Sequence, residues 1–432
     1  MRRLLIRGGR VVDPLAANEE AADVLIEDGR VAAVGPSLDA AGAETFDAAG
    51  RIVAPGFIDM HVHLREPGFE HAETIETGAM AAAAGGFTSI CPMPNTQPVN
   101  DNATVTSYII ERARRHAIVN VFPIGAITRD SAGEELAAIG SMKRAGVVAI
   151  SDDGRPVMNA RVMRRAMEYA RACGLPVIDH CEDLNLSACG DMHEGVESVR
   201  RGVQGIPGCS EDVMVARDIL LAEVTGARFH VAHISSRYSV AMVAQAKSRR
   251  LAVTCEATPH HFSLADQDTI PYDSDYKMKP PLRSACDRDA IVQGIAAGVI
   301  DAIATDHAPH AGSEKMQEFD RCPFGVTGLE TALGLALDRL FHTGRIPLRR
   351  LVELFSAAPA RILGLDRGTL RPGAPGDVTI FDLDTEWIFD VNSSLSKSKN
   401  SPFDGTRFRG GPVATIVAGR VVWRREGGLA AG

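Results

Sequence analysis

Between Ile52 and His310 eight short apolar, β-rich runs alternate with helical stretches, and this alternation restricts the fold more than any other feature of the chain. The runs are 52–63, 87–94, 118–128, 147–154, 176–183, 229–236, 252–261 and 302–310, with Ala- and Arg-rich segments such as 160–170 between them. Parallel strands need crossover connections long enough for a helix. Eight such units predict a (β/α)8 TIM barrel over 52–365, whose chemistry gathers at the C-terminal ends of its strands. A doubly wound open sheet is the alternative, but no Gly-x-Gly-x-x-Gly follows a strand.

The flanks read differently. Residues 4–12 and 22–34 are strand-like, the latter broken by an Asp28-Gly29 hairpin signal. The other end repeats the pattern at 376–382 and 412–422, with a turn at Ala418-Gly419-Arg420. The expectation is a small β-sandwich built from both termini, residues 1–51 and 366–432. Ser393 to Ser401, rich in Ser, Lys and Asn, reads as a solvated connection rather than a site.

A chain of 432 residues has room for a large barrel and an accessory domain. Its net charge of -9 argues against a nucleic-acid or acidic-membrane surface, although local Arg and His can still bind a small anion. There is no apolar run of membrane-spanning length, and the charged, short apolar start at Met1 reads as a strand rather than a signal peptide. Eight scattered cysteines without Cys-x-x-Cys fit free thiols in a reducing cytoplasm.

The polar residues closing the strand runs carry the chemistry. The first run ends His61-Val62-His63, where side chains two apart on a strand share a face, and Arg65 continues the alternation. The fourth ends Ser151-Asp152-Asp153-Gly154, the fifth Asp179-His180-Cys181-Glu182-Asp183, the sixth Ala232-His233, the seventh Thr258-Pro259-His260-His261, and the eighth Thr305-Asp306-His307-Ala308-Pro309-His310. One histidine alone is more often a surface or core residue than a ligand. His71, His116, His193 and His342 fall elsewhere, but most of the others sit at strand ends, and as a set they predict a metal site. Imidazoles with one or two carboxylates suit a borderline divalent ion, zinc above all, and suffice for one ion or two. A water on such an ion deprotonates near neutral pH, and Asp306 is the candidate general base and acid for its proton.

With these residues in view the chain resembles the amidohydrolase superfamily, and within it the class I dihydroorotases. The resemblance runs through residues 55–68, Met93-Pro94-Asn95-Thr96, Ser151-Asp152-Asp153-Gly154, His180-Cys181-Glu182-Asp183, residues 255–261, residues 305–310 and residues 323–331. It implies a barrel with a small terminal β-sandwich, and reversible cyclisation of N-carbamoyl-L-aspartate to L-dihydroorotate in pyrimidine synthesis. It also implies one zinc on His61, His63, Asp153 and Asp306, and a second on His180 and His233 sharing Asp153. Arg65, Asn95 and His310 then match positions that hold the substrate carboxylate, with Phe324 and Gly325 also at substrate-contact positions. Lys279 stands where the family often has Asn and is the one departure.

Cyclic-amidase relatives acting on hydantoins, dihydropyrimidines or allantoin typically bridge two metals with a carboxylated lysine on the fourth strand. This chain has none there, and Lys143 lies in the preceding helical stretch. Such an amidase, and a non-catalytic partner of aspartate transcarbamoylase, are the competing expectations. A homodimer is the expected assembly, with association with aspartate transcarbamoylase as a further possibility of the family.

Overall fold

The computed structural model describes residues 2–16, 19–39 and 41–429. Its centre is a closed ring of eight parallel strand positions. Phe57–Val62 pairs with Phe87–Pro92, which pairs with Asn120–Val121. The ring continues through Ile150 to Val177–Asp179, Phe229–Val231, Val253–Ala257 and Ala302–Ile303. It closes where His307 bridges Val62 and the His63 amide donates to the His307 carbonyl at 2.8 Å. Closure excludes the open sheet considered as the alternative.

The fourth strand is the weakest. Only Ile150 bridges both neighbours, because its ladder meets Pro123 on one side and Pro176 on the other. Proline accepts through its carbonyl but has no amide to return the bond. The seventh run is also shorter than its apolar pattern: it stops at Ala257, and Thr258 caps a short helix, Pro259–Ser263, that carries His260 and His261.

Helices cover the outside because their patterns demand it. In Ala160–Ala172 the buried residues are Met163, Ala166, Met167 and Ala170, a single stripe at helical spacing, and Asn159 caps the first turn. Thr74 and Thr77 form a reciprocal cap on Ile75–Ala84. Inside the ring, Met60, Cys91, Ile124, Ala149, Ile178 and Ala232 cluster, each from a successive barrel strand or its end.

The terminal strands form one hydrogen-bonded sheet in which Ile52–Pro55 lies between Arg3–Val11 and Val378–Ile388. The first run of the sequence is thus two elements: Ile52–Pro55 belongs to this sheet and Phe57–Val62 to the barrel, with Gly56 between them. The sheet curls until its two hairpins meet. Gly376 donates to the Gly29 carbonyl at 2.7 Å and Gly419 to Gly376 at 2.9 Å, while Ile6, Val24, Ile26, Val378 and Ile416 share one core. Among the described residues no helix is long and apolar enough to cross a membrane.

Candidate metal and substrate site

Six polar groups at the C-terminal mouth of the barrel arrive at or just past the end of a strand. His61, His63, Asp153, His180, His233 and Asp306 are all buried there. His61 Nε2 lies 3.3 Å from Asp153 Oδ1 and 3.5 Å from Asp306 Oδ1. His63 Nε2 lies 3.0 Å from Asp306 Oδ1 and 3.5 Å from Asp153 Oδ2. His233 Nε2 and His180 Nδ1 face Asp153 Oδ1 at 3.6 and 3.7 Å, and lie 2.9 Å from each other. All six residues proposed as ligands from the sequence therefore surround one small volume. Two overlapping triads have ligand-atom spacing that suits a metal ion: His61, His63 and Asp306, and His61, Asp153 and His233.

The hydrogen bonds around the cluster set the tautomers. His61 Nδ1 donates to Glu256 Oε1 at 2.7 Å, His63 Nδ1 to Asn95 Oδ1 at 2.9 Å, and His180 Nε2 to Glu182 Oε2 at 3.0 Å. Each partner is an acceptor, so the second nitrogen of each ring presents its lone pair to the centre. His61 Nε2 and Asp153 Oδ1 are buried without any hydrogen-bond partner. Orphaned inward donors of these types, held by an outer set of carboxylates and an amide, fit a divalent cation.

The charges give the same result. Burial pushes Asp153 up, but His61, His233 and His63 together hold it well below the usual carboxylate range, and Asp306 is lowered in the same way. Burial disfavours a charged His61, yet Asp153 and Asp306 raise its pKa well above the ordinary imidazole value. The two carboxylates require positive charge at the centre. A divalent ion can supply it and return the rings to neutral donors.

Asp152, next in sequence to Asp153, faces away. Its Oδ1 accepts from the Ile127 and Thr128 amides at 2.8 and 3.1 Å, and burial raises its pKa to about 6. Lys143 lies exposed on the helix Ile139–Ala145, so no lysine reaches the position of Asp153. Three site residues adopt left-handed backbone angles, Arg65 at φ 60°, His233 at 30° and Asp306 at 48°. For non-glycine residues this conformation is uncommon and gathers at functional sites.

Beside the cluster lies a cationic corner. Arg65 Nε donates to the Pro309 carbonyl at 3.0 Å and its Nη2 stands 3.1 Å from His310 Nε2. Among the described residues it has no carboxylate within ion-pair distance. His310 Nε2 donates to the Phe324 carbonyl at 2.8 Å. Burial first, then Arg65 and Lys315, depress its pKa to about 3, so the ring is neutral. Gly325 has φ 138°, and a Cβ there would stand 2.7 Å from the Ala308 Cβ. Lys279 does not extend into solvent: Nζ pairs with Glu182 Oε1 at 2.9 Å and lies 5.1 Å from the centre of the Phe324 ring.

Several residues were not singled out from the sequence. Glu256 bridges His61 and His230, the latter at 3.2 Å, and Glu182 links His180 to Lys279. Glu256 lies within the strand Val253–Ala257 and Glu182 just past the strand Val177–Asp179, and that position is the only signal the sequence offered. Glu73, which meets His307 at 3.4 Å, comes from a loop and left no signal.

A closed eight-stranded barrel with this His/Asp centre defines a class. Residues 241–423 match the amidohydrolase family. The solved L-hydantoinase (dihydropyrimidinase) from Arthrobacter aurescens superposes with a TM-score of 0.88 at 28% identity, over 100% of this chain and 98% of that one. D-hydantoinase from Bacillus sp. AR9 gives 0.86 at 26%, over 99% and 96%. The fold and site are those of a cyclic amide hydrolase of the amidohydrolase superfamily. Sequence narrows this further. Residues 50–239 match the dihydro-orotase-like family. The dihydroorotase of Solibacter usitatus is 69% identical over 98% of both chains, and that of Pelotomaculum thermopropionicum is 56% identical over 97% of this chain and 98% of its own. The chain belongs to the dihydroorotase family.

Proposed function

We propose that the protein interconverts N-carbamoyl-L-aspartate and L-dihydroorotate, closing or opening one ring amide with loss or gain of water. The observation that carries this reading is Arg65, a guanidinium beside the His/Asp centre with no carboxylate partner among the described residues. Hydantoins and dihydropyrimidines bring no ring carboxylate to it, whereas dihydroorotate does. A bidentate guanidinium–carboxylate pair fixes both position and orientation. Neutral His310 adds a polar contact without placing a second full charge beside Arg65.

The ligand assignment is part of the proposal: His61, His63, Asp153 and Asp306 hold one zinc, and His180 and His233, sharing Asp153, hold a second where one is present. The neutral imidazole and carboxylate donors suit zinc. When bound, the metal supplies polarisation of the scissile carbonyl and acidification of a water.

The chain's own residues do the rest. Glu256, Asn95 and Glu182 fix the ring tautomers of His61, His63 and His180. Asp306, kept ionised by the surrounding histidines, accepts the proton of the attacking water and delivers it to the ring nitrogen as the amide opens. In cyclisation the same carboxylate removes a proton from the carbamoyl nitrogen and returns it to the departing oxygen. Asn95 and the Phe324–Gly325 loop complete the substrate pocket. Lys279 is read as a substrate contact at its mouth, reached when its ammonium leaves Glu182.

The test is direct. Purified, zinc-loaded protein should open dihydroorotate, read as loss of the substrate's ultraviolet absorbance, and metal analysis should find one or two zinc ions per chain. Zinc-loaded protein inert on dihydroorotate in both directions but active on hydantoin or dihydrouracil would assign it to the other cyclic amidases. The eight cysteines, unpaired throughout, favour a cytoplasmic setting. The proposed assembly is a homodimer, and sedimentation alone and with an aspartate transcarbamoylase tests both that state and the family's possible association.

A further inference from the structure

The segment Ser393 to Ser401, expected from its composition to be a solvated connection, is largely packed into the fold beyond the exposed Ser393. Ser396, Ser398, Asn400 and Ser401 are buried, and the segment lies against the loops that follow the first and last barrel strands. Ser398 Oγ donates to the Ala72 carbonyl at 2.7 Å, the Lys397 amide to Glu73 Oε1 at 3.1 Å, and the Leu395 amide to Glu330 Oε1 at 2.9 Å. These bonds fix the backbone from which Asn400 projects.

Asn400 uses all of its side-chain hydrogen-bonding types on two loops. Its Oδ1 accepts from the His310 amide at 3.1 Å. Its Nδ2 donates to the Ala308 carbonyl at 3.1 Å and to the Gly325 carbonyl at 3.0 Å. Its own carbonyl accepts from the Thr327 amide at 2.8 Å. Gly325 is gripped from the other side by Lys315, whose Nζ donates to the Gly325 and Pro323 carbonyls at 3.0 and 3.1 Å. The loop carrying Phe324 is therefore tied on both sides, and its carbonyl in turn receives the His310 ring N–H.

We infer that Asn400 is a positioning residue for the anion end of the site, holding His310 and the Phe324–Gly325 loop in register beside Arg65. This rests on the reading that Arg65 and His310 receive the substrate carboxylate. The geometry is demanding: a side chain there must accept one backbone bond and donate two. Serine has too few donors and aspartate none. Asparagine meets the requirement, whereas glutamine carries the same groups one methylene further from the backbone and off these three partners. Nothing in the contacts of Asn400 reaches the metal-centre residues, so its effect should fall on substrate binding rather than on turnover.

Kinetics on the zinc-loaded protein test this. Asn400→Ala is expected to raise KM for dihydroorotate tenfold or more, with kcat within threefold and zinc content unchanged. Asn400→Ser, which keeps one hydrogen-bonding atom, should give a smaller rise and serves if the alanine variant does not fold. Arg65→Ala is measured alongside, together with Arg65→Ala/Asn400→Ala. Shared action on one carboxylate predicts that the combined rise in KM is less than the product of the single effects. If Arg65→Ala leaves KM unchanged, the carboxylate reading itself fails. If Arg65→Ala raises KM and the Asn400 variants do not, or if they depress kcat and the thermal midpoint in parallel with KM, the positioning role is overturned.

Discussion

At the residue scale, the site is a set of protons held in fixed places. Glu256 is the clearest case, because one buried carboxylate takes the outer nitrogen of His61 and a nitrogen of His230. Glu256→Gln presents an amide whose NH2 end can replace the acceptor, and His61 then loses the partner that fixes its tautomer. Outer partners of metal-bound histidines commonly contribute about 10–100-fold in metal affinity. The variant should show a zinc affinity lower by that order in a competition titration with a chelator, and unchanged affinity would refute the orienting role. Asp306 is tested by chemistry instead. Asp306→Asn keeps an oxygen toward the centre but cannot take a proton. Turnover should fall by roughly 10²–10⁴, the usual contribution of a positioned acid–base group, with the circular-dichroism spectrum retained. A residual rate within tenfold of the parent would remove Asp306 from the proton path.

At the element scale, the junction between sheet and barrel turns on Gly56. Its amide donates to the Asp377 carbonyl at 2.9 Å, and a Cβ on it would fall 2.7 Å from Thr88 Cγ2 and closer still to Thr88 Oγ1. Thr88 cannot yield freely, since its hydroxyl donates to the Phe57 carbonyl at 3.2 Å. Gly56→Ala should therefore cost about 1–3 kcal/mol, as overpacking does in a tight core, and lower the thermal midpoint by several degrees; an unchanged midpoint would show that Thr88 moves without cost. The same junction explains what the sequence left hidden. Hydropathy runs unbroken from Ile52 to His63, because both halves are buried, and periodicity does not register that the chain changes partners at a glycine. The fourth strand was legible as an apolar run but not as a single bridging residue, which depends on prolines from neighbouring strands. The strand-end histidines were legible because barrel geometry makes position along a strand equivalent to position at the mouth. The choice of Asp153 over Asp152 was implied by resemblance, since two adjacent carboxylates differ only in which face they meet. Asn400 was illegible: a Ser, Lys and Asn tract has the composition of a loop, and its burial arises from partners more than 70 residues away in sequence, His310 and Gly325 among them.

At the scale of the whole molecule, buried histidines couple the fold to pH. His261 is buried with Nε2 donating to the Pro280 carbonyl at 3.0 Å, and Nδ1 of the neutral ring accepts from Thr258 Oγ1 at 2.7 Å. Burial, then the neighbouring His233, lowers its pKa to about 4; burial and Arg283 lower His193 to about 4 as well; His310 lies near 3. In the unfolded chain these rings titrate near 6.5. Between about pH 4 and 6.5 these three rings bind more protons in the unfolded chain than in the native one, so their contribution to stability falls as pH falls through that window, whereas Asp59, raised to about 7 by burial, and Asp152, raised to about 6, contribute in the opposite direction. Above it the three rings are neutral in both states and give no slope. The raised values of His61 and His180 act oppositely in metal-free protein, favouring the fold at low pH and losing that contribution as pH rises. A bound metal keeps those rings deprotonated, so zinc-loaded protein also loses metal as acid is added. The part of the profile owed to His261, His193 and His310 should therefore be flat from pH 8 to 7 and decline from about 6.5 to 4.5, and it is read as the difference between the parent and a variant lacking one ring. His261→Gln isolates one contribution, on the order of 3 kcal/mol when fully developed. Its midpoint should start lower at pH 7.5 through the lost hydrogen bonds, but fall less steeply on the acid side than the parent. Parallel acid limbs for parent and variant would show that His261 takes up no proton on unfolding.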